Sequence, residues 1–172
     1  GLAREPRPCG APPGTQIDIR DLFFNVPARR RFLRGAAAER ARVQDLVTRL
    51  AIAHLEVDFT LVAEGREVLR LPAGDSLRDR VRRAFGREVA AGLLDVSYQL
   101  DDYHVTGLAG SPDQARRDSK LELLYVNGRN ARDRGATFAV RQAYREYTMH
   151  GRFPVYALML SLPPDRVDVN VH

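Results

Sequence analysis

The feature that most constrains the fold of this sequence is the alternation between helical and strand-type apolar spacing along the chain. Apolar residues recur with helical spacing over Glu39–His54, over 76–85 and over Thr137–Tyr147. Strand-type segments fill the intervals, at 57–62, 66–71, 96–100, 103–109, 121–127 and 153–162. This order predicts an α+β fold in two layers, and the propensities alone leave the arrangement of its elements open.

Turn motifs divide these segments. The dipeptides at 64–65 and 101–102 predict hairpin turns. The run Pro-Ala-Gly-Asp at 72–75 breaks the periodicity altogether. We therefore expect a domain boundary there, with one domain over 1–72 and a second over 73–172.

Alternating residues at the two ends of the chain predict two further strands. Ile17 and Ile19 alternate with polar residues after Gly14, and the valines at 167, 169 and 171 alternate up to the last residue. Both stretches are therefore expected to be extended.

The composition excludes several classes of protein. The single cysteine, Cys9, has no partner for a disulfide, and the four histidines are scattered, so no metal site is predicted. No segment approaches the roughly 20 apolar residues of a membrane helix, and the first residues do not resemble a signal peptide. A reducing interior is the expected compartment, which points to a cytoplasmic protein.

The net charge of +5 is unevenly distributed. Residues 1–50 contain ten arginines against five acidic residues, and residues 116–145 contain eight Arg or Lys against three acidic residues. The remaining stretches are net acidic. Two basic segments in an otherwise acidic chain indicate a surface for a polyanion, and a solvated arginine-rich face is the alternative.

Three segments carry longer motifs. Residues 14–33 contain Leu-Phe-Phe-Asn-Val-Pro-Ala-Arg-Arg-Arg-Phe-Leu, residues 125–134 read Tyr-Val-Asn-Gly-Arg-Asn-Ala-Arg-Asp-Arg, and residues 168–172 read Asp-Val-Asn-Val-His. In order and spacing they resemble the signatures of the MutL family of DNA mismatch repair proteins. Type II topoisomerases and some chaperones belong to the same group of ATPases as MutL. Membership of this chain in either of those families is disfavoured, because its run Phe-Phe-Asn-Val-Pro-Ala-Arg resembles MutL in particular.

This resemblance implies a GHKL-type ATPase. Residues 1–72 are then expected to form the C-terminal part of the GHKL ATPase α/β sandwich, and residues 73–172 a ribosomal-protein-like βαβ domain called the transducer. The family's ATPase motifs are expected before Gly1, and its Pro-x-Lys segment after His172, so the chain is expected to be a truncated fragment. No catalytic residue is assigned in this chain, and ATP hydrolysis is expected of the longer parent.

The resemblance also implies cofactors and partners. MutL proteins bind ATP with Mg²⁺, form a homodimer when ATP is bound, and link mismatch recognition to strand incision. Their partners are DNA, a mismatch-recognition protein and downstream repair enzymes. Neither ATP nor Mg²⁺ is expected to bind tightly to this chain alone. The alternative function is a passive DNA-binding or interaction module without nucleotide dependence.

The resemblance places three nucleotide-binding residues in this sequence, Gly14, Thr15 and Asn170. The Thr15 hydroxyl matches a threonine near the adenine, where it would bond a base edge or a bridging water, and Gly14 lets the backbone pass close. An ordinary strand start is the alternative for this pair.

Three arginines, Arg129, Arg132 and Arg134, are candidates for DNA binding. Arg134 matches a position that the family uses for contact with the DNA backbone. Guanidinium groups suit phosphate because they pair in a bidentate manner and stay charged. No aromatic residue interleaves with these arginines in the sequence, so binding is expected to be sequence-independent and sensitive to salt. Surface ion pairing is the alternative.

Overall fold

The computed structural model describes Gly10 and residues 13–167, and the chain forms two compact units, Gly1–Ala36 and Ala37–His172. We call them the N-terminal unit and the main unit. Residues 13–36 of the N-terminal unit contain the short helix α1 (Pro27–Arg30), which begins at a proline whose fixed φ suits the first helical position. Ile17 and Ile19 are exposed, and no described segment pairs with them. The strand predicted after Gly14 is therefore not formed, since a strand needs a hydrogen-bonded neighbour.

The main unit contains nearly all of α2 and every strand that the structure describes. Its elements are α2 (Ala36–Ala53), β1 (Phe59–Ala63), β2 (Arg66–Leu71), α3 (Leu77–Phe85), α4 (Arg87–Ala91), β3 (Leu93–Leu100), β4 (Tyr103–Gly110), β5 (Glu122–Val126), β6 (Arg129–Ala131), α5 (Arg134–Tyr144) and β7 (Tyr156–Ser161). The predicted helices and hairpins are confirmed. The short elements α4 and β6 were not predicted. The predicted strand at 167–171 lies almost entirely outside the described residues.

A five-stranded sheet in the order β3-β4-β7-β5-β6 forms the centre of the main unit. Strands β5 and β7 are parallel and are joined through α5, which gives the predicted βαβ arrangement, and the other neighbours are antiparallel. The inner strand β5 is buried at Leu123, Leu124 and Tyr125 in succession, as a strand covered on both faces must be. The α+β fold class is confirmed.

Helices cover both faces of this sheet. On one face Tyr125 belongs to a core with Ile52 of α2, Val81 of α3 and Val89 of α4. On the other face a cluster centred on Leu124, Tyr156 and Leu158 packs against α5. The main unit therefore has three layers, where the sequence pattern predicted two, because sequential spacing does not show which face a helix will cover.

The apolar stripe predicted along α2 is only partly buried. Val47 and Ala51 pack against the β1–β2 hairpin. Val43, Leu46 and Leu50 are exposed to 47%, 58% and 44%. One side of the helix therefore lies in the core, and the other leaves an apolar stripe at the surface.

Arg80 connects the parts of the main unit on either side of the predicted domain boundary. Its buried guanidinium donates hydrogen bonds to the carbonyl oxygens of Leu55, Val57, Leu71 and Pro72. The predicted division after residue 72 thus falls inside the main unit, and as a domain boundary it stays a prediction.

In the part of the chain that the structure describes, no helix is long and apolar enough to cross a membrane. The same residues contain no group of three or more His, Cys, Asp or Glu side chains placed to hold a metal ion.

Candidate nucleic-acid interface

An open cleft of about 1120 Å³ lies in the main unit between α2, the segment before β5, and the start of α5. We call it the basic cleft. Its cationic lining residues are Arg42, Arg49, Lys120, Arg132, Arg134 and Arg141. Its acidic lining residues are Asp45, Glu122 and Asp133. Cations outnumber anions two to one, so the cleft carries a net positive potential, and clefts focus such potentials.

A tight hairpin brings Arg132 and Arg134 to the cleft. Asn127 and Gly128 both adopt positive φ, +47° and +77°, which turns β5 back into β6 as a type I′ turn does. After β6 the chain reaches Asp133, whose Oδ1 accepts a 2.6 Å hydrogen bond from Ala136 N and caps α5. The two arginines therefore flank a helix cap whose position is fixed by a hairpin.

Three of the cleft arginines are engaged in ion pairs, Arg42 with Glu39 at 3.6 Å and Arg49 and Arg141 at shorter distances. Arg49 Nε lies 2.9 Å from Asp45 Oδ2, and Arg49 Nη2 donates to the Lys120 carbonyl. Arg141 donates to both oxygens of the Glu122 carboxylate, at 2.8 and 2.6 Å, and these bonds raise the Arg141 pKa. Arg49 and Arg141 form the fixed walls of the cleft.

Arg132 and Arg134 are exposed, and neither side chain forms a hydrogen bond or ion pair with any described residue. Arg134 is the first residue of α5, and the first turn of that helix contains no acidic residue. Cations are unfavourable at a helix N-terminus because the macrodipole places partial positive charge there. Two unpaired guanidinium groups at this position thus gain nothing from the fold, and they are placed to receive an anion.

The third predicted DNA-binding residue, Arg129, is exposed at the start of β6 and does not line the basic cleft. The structure therefore brings together two of the three predicted arginines. Sequence reasoning did not select Arg42, Lys120 or Arg141. Lys120 and Arg141 lie in the basic segment 116–145 and Arg42 lies in the basic segment 1–50, so the charge excess of each segment was the only signal for them.

An aromatic side chain also lines the cleft. Phe138 is 63% exposed there, although it belongs to the apolar residues with helical spacing in 137–147. Ala136 and Val140 face the sheet instead. The sequence has no aromatic residue among the three predicted arginines, but Phe138 lies one helical turn from Arg134 and lines the same cleft.

The predicted nucleotide-binding residues do not form a cradle among the described residues. Gly14 and Thr15 are exposed in the N-terminal unit, and a Cβ added at Gly14 would meet nothing within 4 Å. Asn170 lies outside the described residues. The residues present therefore do not by themselves fit a nucleotide with its magnesium ion, and the assignment of these three residues stays a prediction.

Comparison with known proteins decides the family. Residues 81–172 match the family model described as DNA mismatch repair protein, C-terminal domain. The chain is 45% identical over 172 residues to the DNA mismatch repair protein MutL of Anaeromyxobacter dehalogenans and 42% identical to that of Pelobacter propionicus. The chain belongs to the MutL family of DNA mismatch repair proteins. It spans 28% of the length of these two MutL relatives, and each match covers the whole chain.

Solved structures of MutL ATPase domains share this fold. The Aquifex aeolicus MutL ATPase domain complexed with ADP aligns with a TM-score of 0.63 and 27% identity, covering 85% of this chain and 52% of that one. The N-terminal domain of a DNA repair protein aligns with a TM-score of 0.70 and 21% identity, covering 87% of this chain and 50% of that one. The second likeness concerns the fold alone.

Proposed function

We propose that this chain supplies a DNA-backbone-binding surface of a MutL-type mismatch repair protein, with the basic cleft as the binding site. The observation that carries the proposal is the pair Arg132 and Arg134, which are exposed and unpaired among the described residues and share one cleft at the start of α5. Family membership supports it, because a protein of mismatch repair acts on DNA.

The chemistry of the cleft favours phosphate over other anions. Each guanidinium can donate two parallel hydrogen bonds to phosphate oxygens, and the N-terminus of α5 adds its partial positive charge. Since the phosphates carry no sequence information, binding is expected to be similar on all sequences. It releases counterions, so affinity falls with rising salt.

The wider activity is part of the same proposal. The longer protein is an ATP-gated coordinator that links mismatch recognition to strand incision, with ATP and Mg²⁺ as cofactors and a homodimer as its ATP-bound form. Gly14, Thr15 and Asn170 are its nucleotide contacts in this segment. The similarity to a MutL ATPase domain complexed with ADP supports this part. DNA binding by the longer protein that is indifferent to ATP and Mg²⁺ would favour a passive module instead.

The test of the cleft is charge reversal at Arg134. Arg134→Glu should weaken binding to duplex DNA about tenfold on every sequence and reduce the slope of log affinity against log salt by about one, because one phosphate contact is lost. The measurement is a fluorescence-anisotropy titration of labelled duplexes at several salt concentrations. Folding should survive, since an acidic residue is favourable in the first turn of a helix.

Arg87→Glu is the matched control. Arg87 is also exposed and also begins a helix, α4, but it does not line the basic cleft. The reversal there changes the net charge equally and should leave the salt slope unchanged. Equal losses in the two variants would mean that only overall charge matters, and the assignment of the cleft would fail.

A further inference from the structure

Helix α5 presents a mixed stripe to the basic cleft. Arg134, Phe138 and Arg141 follow one another at spacings of four and three residues, so they lie on one side of the helix, and all three line the cleft. The sheet-facing side of the same helix carries Ala136 and Val140. The stripe is thus distinct from the face that holds α5 in the fold.

Phe138 has no role in the packing of the described residues. Its side chain is 63% exposed, and it belongs to none of their hydrophobic clusters. A phenyl ring left in water between arginines gains no burial energy in the chain itself. A ligand with a flat apolar face would cover it.

A nucleic-acid base has such a face, but only when it is unpaired. In an intact duplex the bases are stacked on one another, and only their edges are reached from the grooves. In a single strand the faces are free, and proteins bind them by stacking on aromatic side chains within positively charged grooves. The basic cleft has the same two components, the Phe138 ring and two arginines that are unpaired among the described residues.

We propose that Phe138 is a base-stacking residue of the basic cleft, so that the cleft holds an unpaired stretch of DNA with its phosphates on Arg132 and Arg134 and a base on the Phe138 ring. This rests on the proposed function, whose phosphate contacts it shares. Phe138 lies about one helical turn, about 6 Å along the axis, from Arg134, a distance that the sugar of one nucleotide bridges.

Arg141 limits the site to a single stacked base, on the Phe138 ring. Its guanidinium is held by Glu122 and lies 4.6 Å from the centroid of the Phe153 ring. It is therefore fixed at the far end of the stripe. The site accommodates one base on Phe138. It discriminates unpaired from paired DNA, but it does not discriminate one base sequence from another.

The first experiment compares three labelled probes by fluorescence anisotropy with the 172-residue chain. The probes are an oligothymidylate of about 20 nucleotides, an abasic strand of equal length, and a mixed-sequence duplex. Phe138→Ala should weaken binding to the oligothymidylate about tenfold. Binding to the duplex and to the abasic strand should change less than about twofold, and the salt slope should stay the same, because no phosphate contact is lost.

Two further substitutions separate stacking from apolar contact. Phe138→Tyr keeps a flat aromatic ring and should restore binding to the oligothymidylate. Phe138→Leu keeps an apolar side chain without a ring and should behave like Phe138→Ala. Equal binding by the Leu and Phe proteins would overturn the stacking role.

The absence of tryptophan from the sequence allows a direct readout. Phe138→Trp introduces a single tryptophan into the cleft, and stacking of a base on it should quench its fluorescence. The oligothymidylate should quench it, and the abasic strand should not. Quenching by neither strand, or by both equally, would contradict the proposal.

The outcomes distinguish this inference from the function on which it rests. If Arg134→Glu weakens binding and Phe138→Ala changes nothing, Phe138 is not a base contact, and the phosphate site stands. If Phe138→Ala weakens all three probes equally, it acts through the structure of α5, and the inference fails. If Arg134→Glu also has no effect, the proposed function fails as well.

Discussion

Arg80 shows how one residue can determine the organisation of the main unit. Its side chain is fully buried, and it donates to three carbonyl oxygens at 2.8–3.1 Å, those of Leu55, Leu71 and Pro72. The carboxylate of Asp75, itself largely buried, lies 3.8 Å from Arg80 Nε. A buried cation is tolerated when its charge is paired and its donors are largely satisfied. Here Nη1 and Nη2 are hydrogen-bonded, whereas Nε has no hydrogen-bond partner among the described residues and faces the Asp75 carboxylate.

Replacing Arg80 should be strongly destabilising. Arg80→Met keeps an apolar stem of similar length but leaves the carbonyl oxygens without donors and removes one of two cations beside Asp75, so unfolding free energy should fall by about 3–5 kcal/mol. Urea denaturation followed by circular dichroism measures this. Arg82→Met serves as the control, because Arg82 is exposed in a surface ion pair with Asp79 and should cost less than about 1 kcal/mol. Similar losses in both variants would refute the role of Arg80.

At the scale of elements, the β5–β6 hairpin decides where the arginines of the cleft lie. Asn127, at its turn, also holds β5 to the end of its parallel neighbour β7. Its Nδ2 donates to Leu162 O at 2.9 Å, its Oδ1 accepts from Leu162 N at 3.0 Å, and its backbone N–H donates to Leu160 O. The turn is thus fixed from two sides, which fixes the start of α5 in turn.

Asn127→Ala should loosen this corner of the sheet. The change removes two side-chain hydrogen bonds and places alanine at a φ of +47°, so we expect a loss of about 2–3 kcal/mol in unfolding free energy. Asn130→Ala removes a single hydrogen bond, to Leu124 O, from a residue that is not at positive φ, and should cost about 1 kcal/mol. Chemical denaturation of the two variants measures both losses of unfolding free energy. A smaller loss for Asn127→Ala than for Asn130→Ala would refute the role of Asn127 in holding β5 to the end of β7.

At the scale of the whole molecule, the question is which segments unfold together. Helix α2 is buried at Thr48, Ala51 and Ile52, and Ile52 shares a core with Tyr125 of β5. The Tyr125 hydroxyl also donates to the Arg49 carbonyl at 3.0 Å, and its burial raises the Tyr125 pKa. These contacts join α2 to the sheet across the predicted boundary at residue 72.

Amide hydrogen exchange should show directly that α2 and the five-stranded sheet unfold together. Amides of the buried part of α2, residues 48–52, should be protected as strongly as those of β5 and β7, because they open only when the shared core opens. Residues 13–26 should exchange quickly, since few of their amides have hydrogen-bond partners among the described residues. Protection of α2 that is much weaker than that of β5 would favour the boundary after residue 72 over one near residue 36.

Local chemistry determined much of this protein. Ser76 precedes the predicted helical segment and caps α3, because its hydroxyl accepts a hydrogen bond from Asp79 N. The turns at 64–65 and 101–102 connect the predicted hairpins. These signals depend on residues a few positions apart, and the motifs that indicate the MutL family are contiguous. For this reason the longer elements of the main unit, the α+β class and the family could be predicted from the sequence, whereas the short elements α4 and β6 could not.

The tertiary structure alone decided which side chains meet. Arg42 and Arg132 share a cleft although 90 residues separate them in the chain. Tyr147, which ends the predicted helical apolar spacing of 137–147, is 71% exposed, and Arg80, which had no signal, is fully buried. Periodicity shows that a helix has two sides, but the long-range packing of other elements decides which side is covered. A charged side chain adds no periodic apolar signal, so its burial or exposure follows from where the backbone carbonyls and carboxylates of distant segments finally lie.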